Sequence, residues 1–451
     1  MKLIRNLILT VGLLTAGLVG LAALAGYPPA YLAAAPGVGT GIGAKLLCSA
    51  RYVSGFDEAQ AFDDLVQYSP ILANLTTDYD DANKVVTTSL FGLSETTASY
   101  NPTLGCSIDY EGYDARNQSL MQKSGNQSGY WPAGAQVPPP REDIQALLER
   151  QVAQDNADGL NTRALLVAYQ GRVIAEAYDQ RADENTPLLG WSMAKSLMSV
   201  MLGNLEYRGM LNLSGKPEFN EWASDERSQI TIVDMLNMTD GLAFSEQYDP
   251  GDDATAMLFT EPSAANYVLQ KPLARKPGAY FSYSSGTANL LSQVYFNNTG
   301  AELQSSYSDF MDNLYQPMAF QNAVFEVDAT GVFMGSSYFY ASARDWARLG
   351  QLMLDDGVIN GQRLVGSDWI RAATSPNVSE NEKAYGYQWW LNRGDSQLRW
   401  PDLPVDSFAA QGNRQQWIMI IPSRDVVIVR LGWTAGGYPG NDRFAEVLQN
   451  L

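Results

Sequence analysis

Two apolar strand pairs, one near each end of residues 141–451, constrain the fold more than any other feature of the chain. Residues 164–169 and 172–178 flank a Gln170-Gly171 turn. Residues 416–421 and 426–431 flank a turn at Pro422-Ser423-Arg424-Asp425. Runs rich in β-branched and aromatic residues, broken by turn chemistry, read as β-hairpins. Outside them the apolar period changes. Ile144, Leu147, Leu148 and Val152 recur at helical spacing over residues 142–154, and a last helix is expected at about 441–449. Hairpins at both ends with helices between imply one antiparallel sheet closed by both ends of the segment. The expected class is α/β (α+β), a sheet flanked by helices with a helical subdomain over about 190–400.

The first 140 residues read differently. Lys2 and Arg5 precede residues 7–26, an apolar stretch of about the 20 residues that span a bilayer. A membrane anchor and a signal peptide cleaved after Ala25 both fit residues 1–26, with a buried soluble helix as the plain alternative. Under either of the first two, Lys2 and Arg5 stay in the cytoplasm. The rest is then exported, free in a periplasm or held at the inner membrane. Residues 27–44 are small, uncharged and rich in Pro and Gly, and read as a tether. Residues 45–123 form a small module with strand-like patches such as 84–91. Residues 124–140 end in Pro138-Pro139-Pro140 and read as a linker. Cys48 and Cys106 are the only cysteines. In an oxidising compartment one disulfide between them is expected, two free buried thiols being the alternative. Such a bridge would contribute about 3–4 kcal/mol by shortening the unfolded chain's freedom.

The chemistry is bounded by an absence: the 451 residues include no histidine. A Ser-His-Asp triad, a Cys-His dyad and a His-ligated zinc are therefore excluded. Two cysteines make no thiolate cluster, so neither metal nor cofactor is expected. A net charge of −19 opposes a nucleic-acid partner, which needs a basic face. A hydrolase built from this chain must take its base from Lys, Tyr, Asp or Glu. The segment Trp191-Ser192-Met193-Ala194-Lys195-Ser196-Leu197 opens an apolar helix and offers one. Ser192 and Lys195, three apart, share a helical face. Ser192 lies where free backbone N–H groups stabilise a developing oxyanion. Apolar neighbours would depress Lys195 and leave it a neutral base. The plain alternative is a helix cap followed by a lysine whose stem lies along apolar surface.

A second segment, Lys276-Pro277-Gly278-Ala279-Tyr280-Phe281-Ser282-Tyr283-Ser284-Ser285-Gly286, has a turn, a Tyr-x-Ser and a helix start. With the first, it resembles the serine β-lactamase and penicillin-recognising family. The branch it most resembles is that of class C-type esterases and 6-aminohexanoate-dimer hydrolases. The resemblance covers residues 141–451 and implies a β-lactamase-like fold. It puts Tyr283 in place of the tyrosine that shuttles protons with the lysine, and Ser285 in place of an asparagine that binds substrate. Phe408-Ala409-Ala410-Gln411-Gly412-Asn413-Arg414 resembles the Ala-x-Gly variant of the third motif. It implies that Gly412 lets substrate approach the strand and that the amides of Ser192 and Asn413 hold the oxyanion. The motif's usual cation is absent at Ala410. Arg414 is either a replacement charge or a surface residue. Segments 230–242, 341–350 and 385–390 also match in order and are expected to be structural.

The implied function is a serine hydrolase cleaving a small-molecule ester or amide through an acyl-enzyme. Ser192 is its nucleophile, Lys195 its general base and Tyr283 its general acid/base, with Ser285, Gln411, Gly412 and Arg414 toward substrate. Loss of one charge-assisted hydrogen bond costs about 1.5–3 kcal/mol, so weak or absent β-lactamase activity is expected. The alternatives are a cell-wall D-amino-acid peptidase or β-lactamase, or an acyl-binding receptor without turnover.

Overall fold

The computed structural model of the chain describes residues 29–114, 118–120 and 128–451. The apolar stretch 7–26 read as an anchor or signal lies outside the described residues. Among the described residues no helix is long and apolar enough to cross a membrane.

Most of the segment expected to be a tether is helix α1, Pro29–Tyr52. The correction has a steric cause. Gly39, Gly41 and Gly43 read as flexible, but Gly41 and Gly43 are sites of close approach and Gly39 packs in ordinary contact with Leu72 and Leu90. A Cβ on Gly41 would lie 2.2 Å from the Phe259 carbonyl oxygen, and one on Gly43 would meet Leu75 and Thr88. Val38, Leu46 and Leu47 are buried on the same helix. After α2 (Glu58–Val66) comes an antiparallel meander of β1 (Leu75–Asp80), β2 (Val85–Leu90), β3 (Ser94–Asn101) and β4 (Gly105–Ile108). Helix α1 lies across β2–β4, and a disulfide joins its Cys48 to Cys106 on β4.

The larger body follows the expected plan. Helix α3 (Glu142–Ala157) leads into the hairpin β5 (Thr162–Tyr169) and β6 (Arg172–Tyr178). Helices α4 (Met193–Tyr207), α5 (Ser285–Asn298) and α6 (Ala343–Leu354) belong to the middle of the chain. The sheet is completed by β7 (Tyr385–Gly386), β8 (Trp389–Leu391), β9 (Phe408–Gly412), β10 (Gln416–Ile421) and β11 (Val426–Gly432), and α7 (Gly440–Asn450) ends the chain. The seven strands run in the order β7-β8-β9-β10-β11-β5-β6. Antiparallel pairing of β11 with β5, Arg430 opposite Leu165, joins the two hairpins.

Period-2 alternation sorts the sheet's side chains into two layers. Ile418, Ile420, Val427 and Val429 face α6 and the main core. Met419, Ile421, Val426 and Ile428 face α3 and α7. The stretch expected to be a linker is docked over its described part. Trp131 is buried, and Arg348 of α6 donates to the carbonyls of Pro132 and Gly134.

Candidate active site

The turn before α4 aims the nucleophile. Leu188–Leu189 pairs with Phe339–Ala341, and Gly190 follows in a space where a Cβ would strike the Trp346 ring at 2.1 Å. Trp191 then takes a left-handed φ of +47°, uncommon for a bulky residue. Its ring is held among Tyr68, Tyr338 and Trp433. Ser192 precedes the first turn of α4 and makes no side-chain cap. Its hydroxyl instead faces Lys195, one turn on, with Nζ 2.9 Å from Oγ.

Lys195 is 1% exposed. Its Nζ also donates to Ser285 Oγ at 3.0 Å and to the Ser336 carbonyl at 2.9 Å. Asn289 of α5 fixes Ser336 through both its backbone N–H and its hydroxyl. Burial lowers the Lys195 ammonium to about 8, while the Glu246 carboxylate pulls the other way. Tyr283 lies with its ring centroid 4.9 Å from Lys195 Nζ. Burial pushes its hydroxyl well above the usual value, the Ser192 hydroxyl lowering it and Glu246 raising it. Tyr283 is thus a phenol near neutral pH. Trp390 stacks on its ring at 5.5 Å and Tyr385 meets it edge-on, so the 385–390 segment buttresses this side chain.

The third motif reaches the nucleophile through two glycines. A Cβ on Gly412 would lie 2.1 Å from the Gly190 carbonyl oxygen. Only glycine lets the end of β9 pass so close to the Gly190–Ser192 turn. Gln411, partly exposed, pairs with Trp417 of β10. Ala410, in the cation's position, is fully buried.

Two expectations need correction. Ser285 was expected to face substrate, but it is fully buried. Its backbone N–H and hydroxyl both donate to Glu246, because the first turn of α5 leaves that N–H free and points it at the carboxylate. Arg414 is neither a surface residue nor a free charge beside the nucleophile. Its φ of +60° accompanies a buried side chain, with the guanidinium 4.0 Å over the Tyr68 ring and 5.9 Å from that of Trp433.

Sequence reasoning missed Glu246, Tyr248 and Ser336. The Tyr248 hydroxyl donates to Glu246 at 2.6 Å and lies 3.2 Å from Ser285 Oγ. Lys195, Ser285 and Glu246 thus form a chain in which one hydroxyl separates ammonium from carboxylate. Asp240, which stands for a serine in the matching family segment, accepts from the Thr287 hydroxyl and the Leu242 N–H. Burial raises it to about 6. It ties the 238–242 turn to α5, a structural role.

A sequence model of the Beta-lactamase family matches residues 144–447. A 6-aminohexanoate-dimer hydrolase of Paenarthrobacter ureafaciens is 26% identical over 296 residues, 60% of this chain and 72% of that protein. Among solved structures, a family VIII carboxylesterase superposes with a TM-score of 0.54 at 13% identity, over 69% of this chain and 98% of that one. A penicillin-binding protein homologue from Caulobacter crescentus gives 0.55 at 14% identity, over 70% and 99%.

Proposed function

The chain belongs to the Beta-lactamase family and is a serine hydrolase, and from that premise we propose that it cleaves an ester or a non-β-lactam amide through an acyl-enzyme on Ser192. The observation that carries this reading is the proton inventory of Lys195. Its three neighbours are Ser192 Oγ, Ser285 Oγ and the Ser336 carbonyl. The carbonyl can only accept. Ser285 donates its own hydroxyl hydrogen bond to Glu246, so it too accepts from Lys195. A neutral Lys195 spends its two N–H bonds on these, and its lone pair is left facing the Ser192 hydroxyl. That is the state a general base requires.

Lys195 takes the Ser192 proton as Oγ forms its bond to the substrate carbonyl carbon. The carbonyl π pair moves onto oxygen, between the amides of Ser192 and Asn413. Collapse breaks the bond to the leaving group, which takes a proton from the Tyr283 phenol, and Lys195 returns one to Tyr283. A water then repeats the sequence in reverse, forming the acid and restoring Ser192. The burial of Ala410 and the engagement of Arg414 with Tyr68 leave no cation on the third motif to grip a carboxylate. The reading therefore favours a neutral ester or amide over a β-lactam. Export, with attachment through residues 7–26 or cleavage after Ala25, belongs to the same proposal.

A panel of short esters, linear amides, a D-amino-acid peptide and nitrocefin tests it, beside labelling with a serine-directed phosphonate. Label on the wild type but not on Ser192→Ala, with ester or amide turnover and nitrocefin below about 10⁴ M⁻¹s⁻¹, is the expected result. Label persisting on Ser192→Ala would refute the assignment. Stoichiometric acylation without turnover would make the protein a receptor.

A further inference from the structure

We infer that the N-terminal module completes the active site. The cavity it encloses with the catalytic body is the acyl pocket, fitted to an uncharged aliphatic acyl chain of medium length. This rests on the Ser192 acyl-enzyme reading and deepens it.

The cavity has a volume of about 720 Å³, within the range of pockets that enclose small organic ligands, about 300–1,000 Å³. One wall comes from the module, through Leu32, Val38 and Ile42 of α1 and Leu72 beyond α2. The other comes from the body, through Phe259 and Trp191. Among the described residues no Lys or Arg lines it, and the one carboxylate, Asp249, accepts from the Tyr31 hydroxyl of α1 at 3.4 Å. Such a lining offers donors such as Gln247 and Thr255 but no cation to an anionic chain, and burial of a charge without a counter-charge is unfavourable. An aliphatic chain leaves water with no such cost.

The cavity opens on the chemistry. Trp191 precedes the nucleophile, Asn413 carries the second oxyanion amide, and Tyr248 touches Ser285; all three line it. Ser192, Lys195, Tyr283, Tyr385 and Trp390 do not, so the cavity begins beside the reacting atoms rather than at them. Since Tyr283 protonates the leaving group and has no part in the lining, the cavity is assigned to the acyl arm. The module wall is also fixed in place. Glu326 of the body accepts from Lys45, Ser49 and the Cys106 N–H. Arg163 of β5 holds both oxygens of Asp64 on α2 at 2.6 Å.

The test is a p-nitrophenyl ester series from acetyl to octanoyl. We expect kcat/KM to rise about fourfold per added methylene until the cavity is full. Ala35→Trp, on the cavity wall and remote from the reacting atoms, should cut octanoyl turnover at least about tenfold while leaving acetyl turnover within about twofold. Should that variant fail to fold, inactivation of the wild type by alkylphosphonate esters of increasing chain length gives the same readout. Hydrolysis that Ser192→Ala abolishes but that is indifferent to chain length overturns the pocket and leaves the acyl-enzyme standing. Hydrolysis that survives Ser192→Ala overturns the reading beneath it.

Discussion

Among the described residues two lysines are buried, each touching a serine one turn away, and only one of these two pairs is equipped for chemistry. Lys195 Nζ lies 2.9 Å from Ser192 Oγ on α4, and Lys45 Nζ lies 3.0 Å from Ser49 Oγ on α1. Both lysines are almost wholly buried, and burial lowers both. The difference is the position of the carboxylate. Glu326 touches Lys45 directly and also accepts a hydrogen bond from the Ser49 hydroxyl, so the ammonium is matched and the serine O–H is already engaged. The Tyr338 ring, 4.0 Å from Lys45 Nζ, covers another side of the cation. At the other site, Ser285 stands between Lys195 and Glu246. Lys195 feels the carboxylate without being paired to it, and the Ser192 proton is still to be taken. A serine–lysine contact is therefore a weak signal. Access to the serine and a carboxylate held one hydroxyl away make it a site.

The largest effect should come from exchanging the two lysines' fates. Lys195→Met removes the base, and kcat/KM should fall by about 10²–10⁴ with little loss of fold. Lys45→Met should leave the turnover of the folded fraction within about twofold, which steady-state kinetics on purified folded protein would check. Equal loss of activity in both variants would erase the distinction drawn here.

Stability should divide the other way. Glu326→Ala strands the Lys45 ammonium without a partner in the interior, and breaking a buried pair costs about 3–5 kcal/mol. Glu246→Ala strands no charge but leaves the buried Ser285 N–H and hydroxyl without their acceptor, and should cost less, about 1–3 kcal/mol. Urea unfolding, followed by tryptophan fluorescence, compares the two. A Glu246→Ala loss as large as that of Glu326→Ala would show that Glu246 is a structural staple.

Much of this is legible in the sequence alone, for physical reasons. The hairpins announced themselves as apolar runs broken by turn residues, because strands buried on both faces are apolar almost throughout. Ser192 and Lys195 did so because one helical turn is a fixed spacing. What was missed depends on contacts between distant residues. Gly39, Gly41 and Gly43 carry the same letters whether a backbone is free or pressed against a neighbour, so α1 read as a tether. Ser285 sits at a motif position, but its direction is set by Glu246, which lies 39 residues earlier. With 49 acidic residues in the chain, no single one stands out. Arg414 lies beside the third motif, yet Tyr68, far upstream, holds its guanidinium.

The smallest effect is the most specific to the spacing of charge. Lys195 acts as a base only when neutral, and burial places its pKa at about 8. The free enzyme's kcat/KM should therefore rise with pH and level off above about 8. The Glu246 carboxylate favours the ammonium and so raises this value. Glu246→Gln removes the charge at nearly constant shape, the Lys195 pKa falls, and the acid limb moves to lower pH. Turnover at pH below the wild-type midpoint should then rise relative to the plateau, even if the plateau drops because an amide cannot accept all three of the donors now held by Glu246. A pH profile of kcat/KM on a short ester reads this directly. A limb that stays put, or moves upward, would mean that Glu246 does not act on Lys195 through its charge. The two serine–lysine pairs would then differ in access alone.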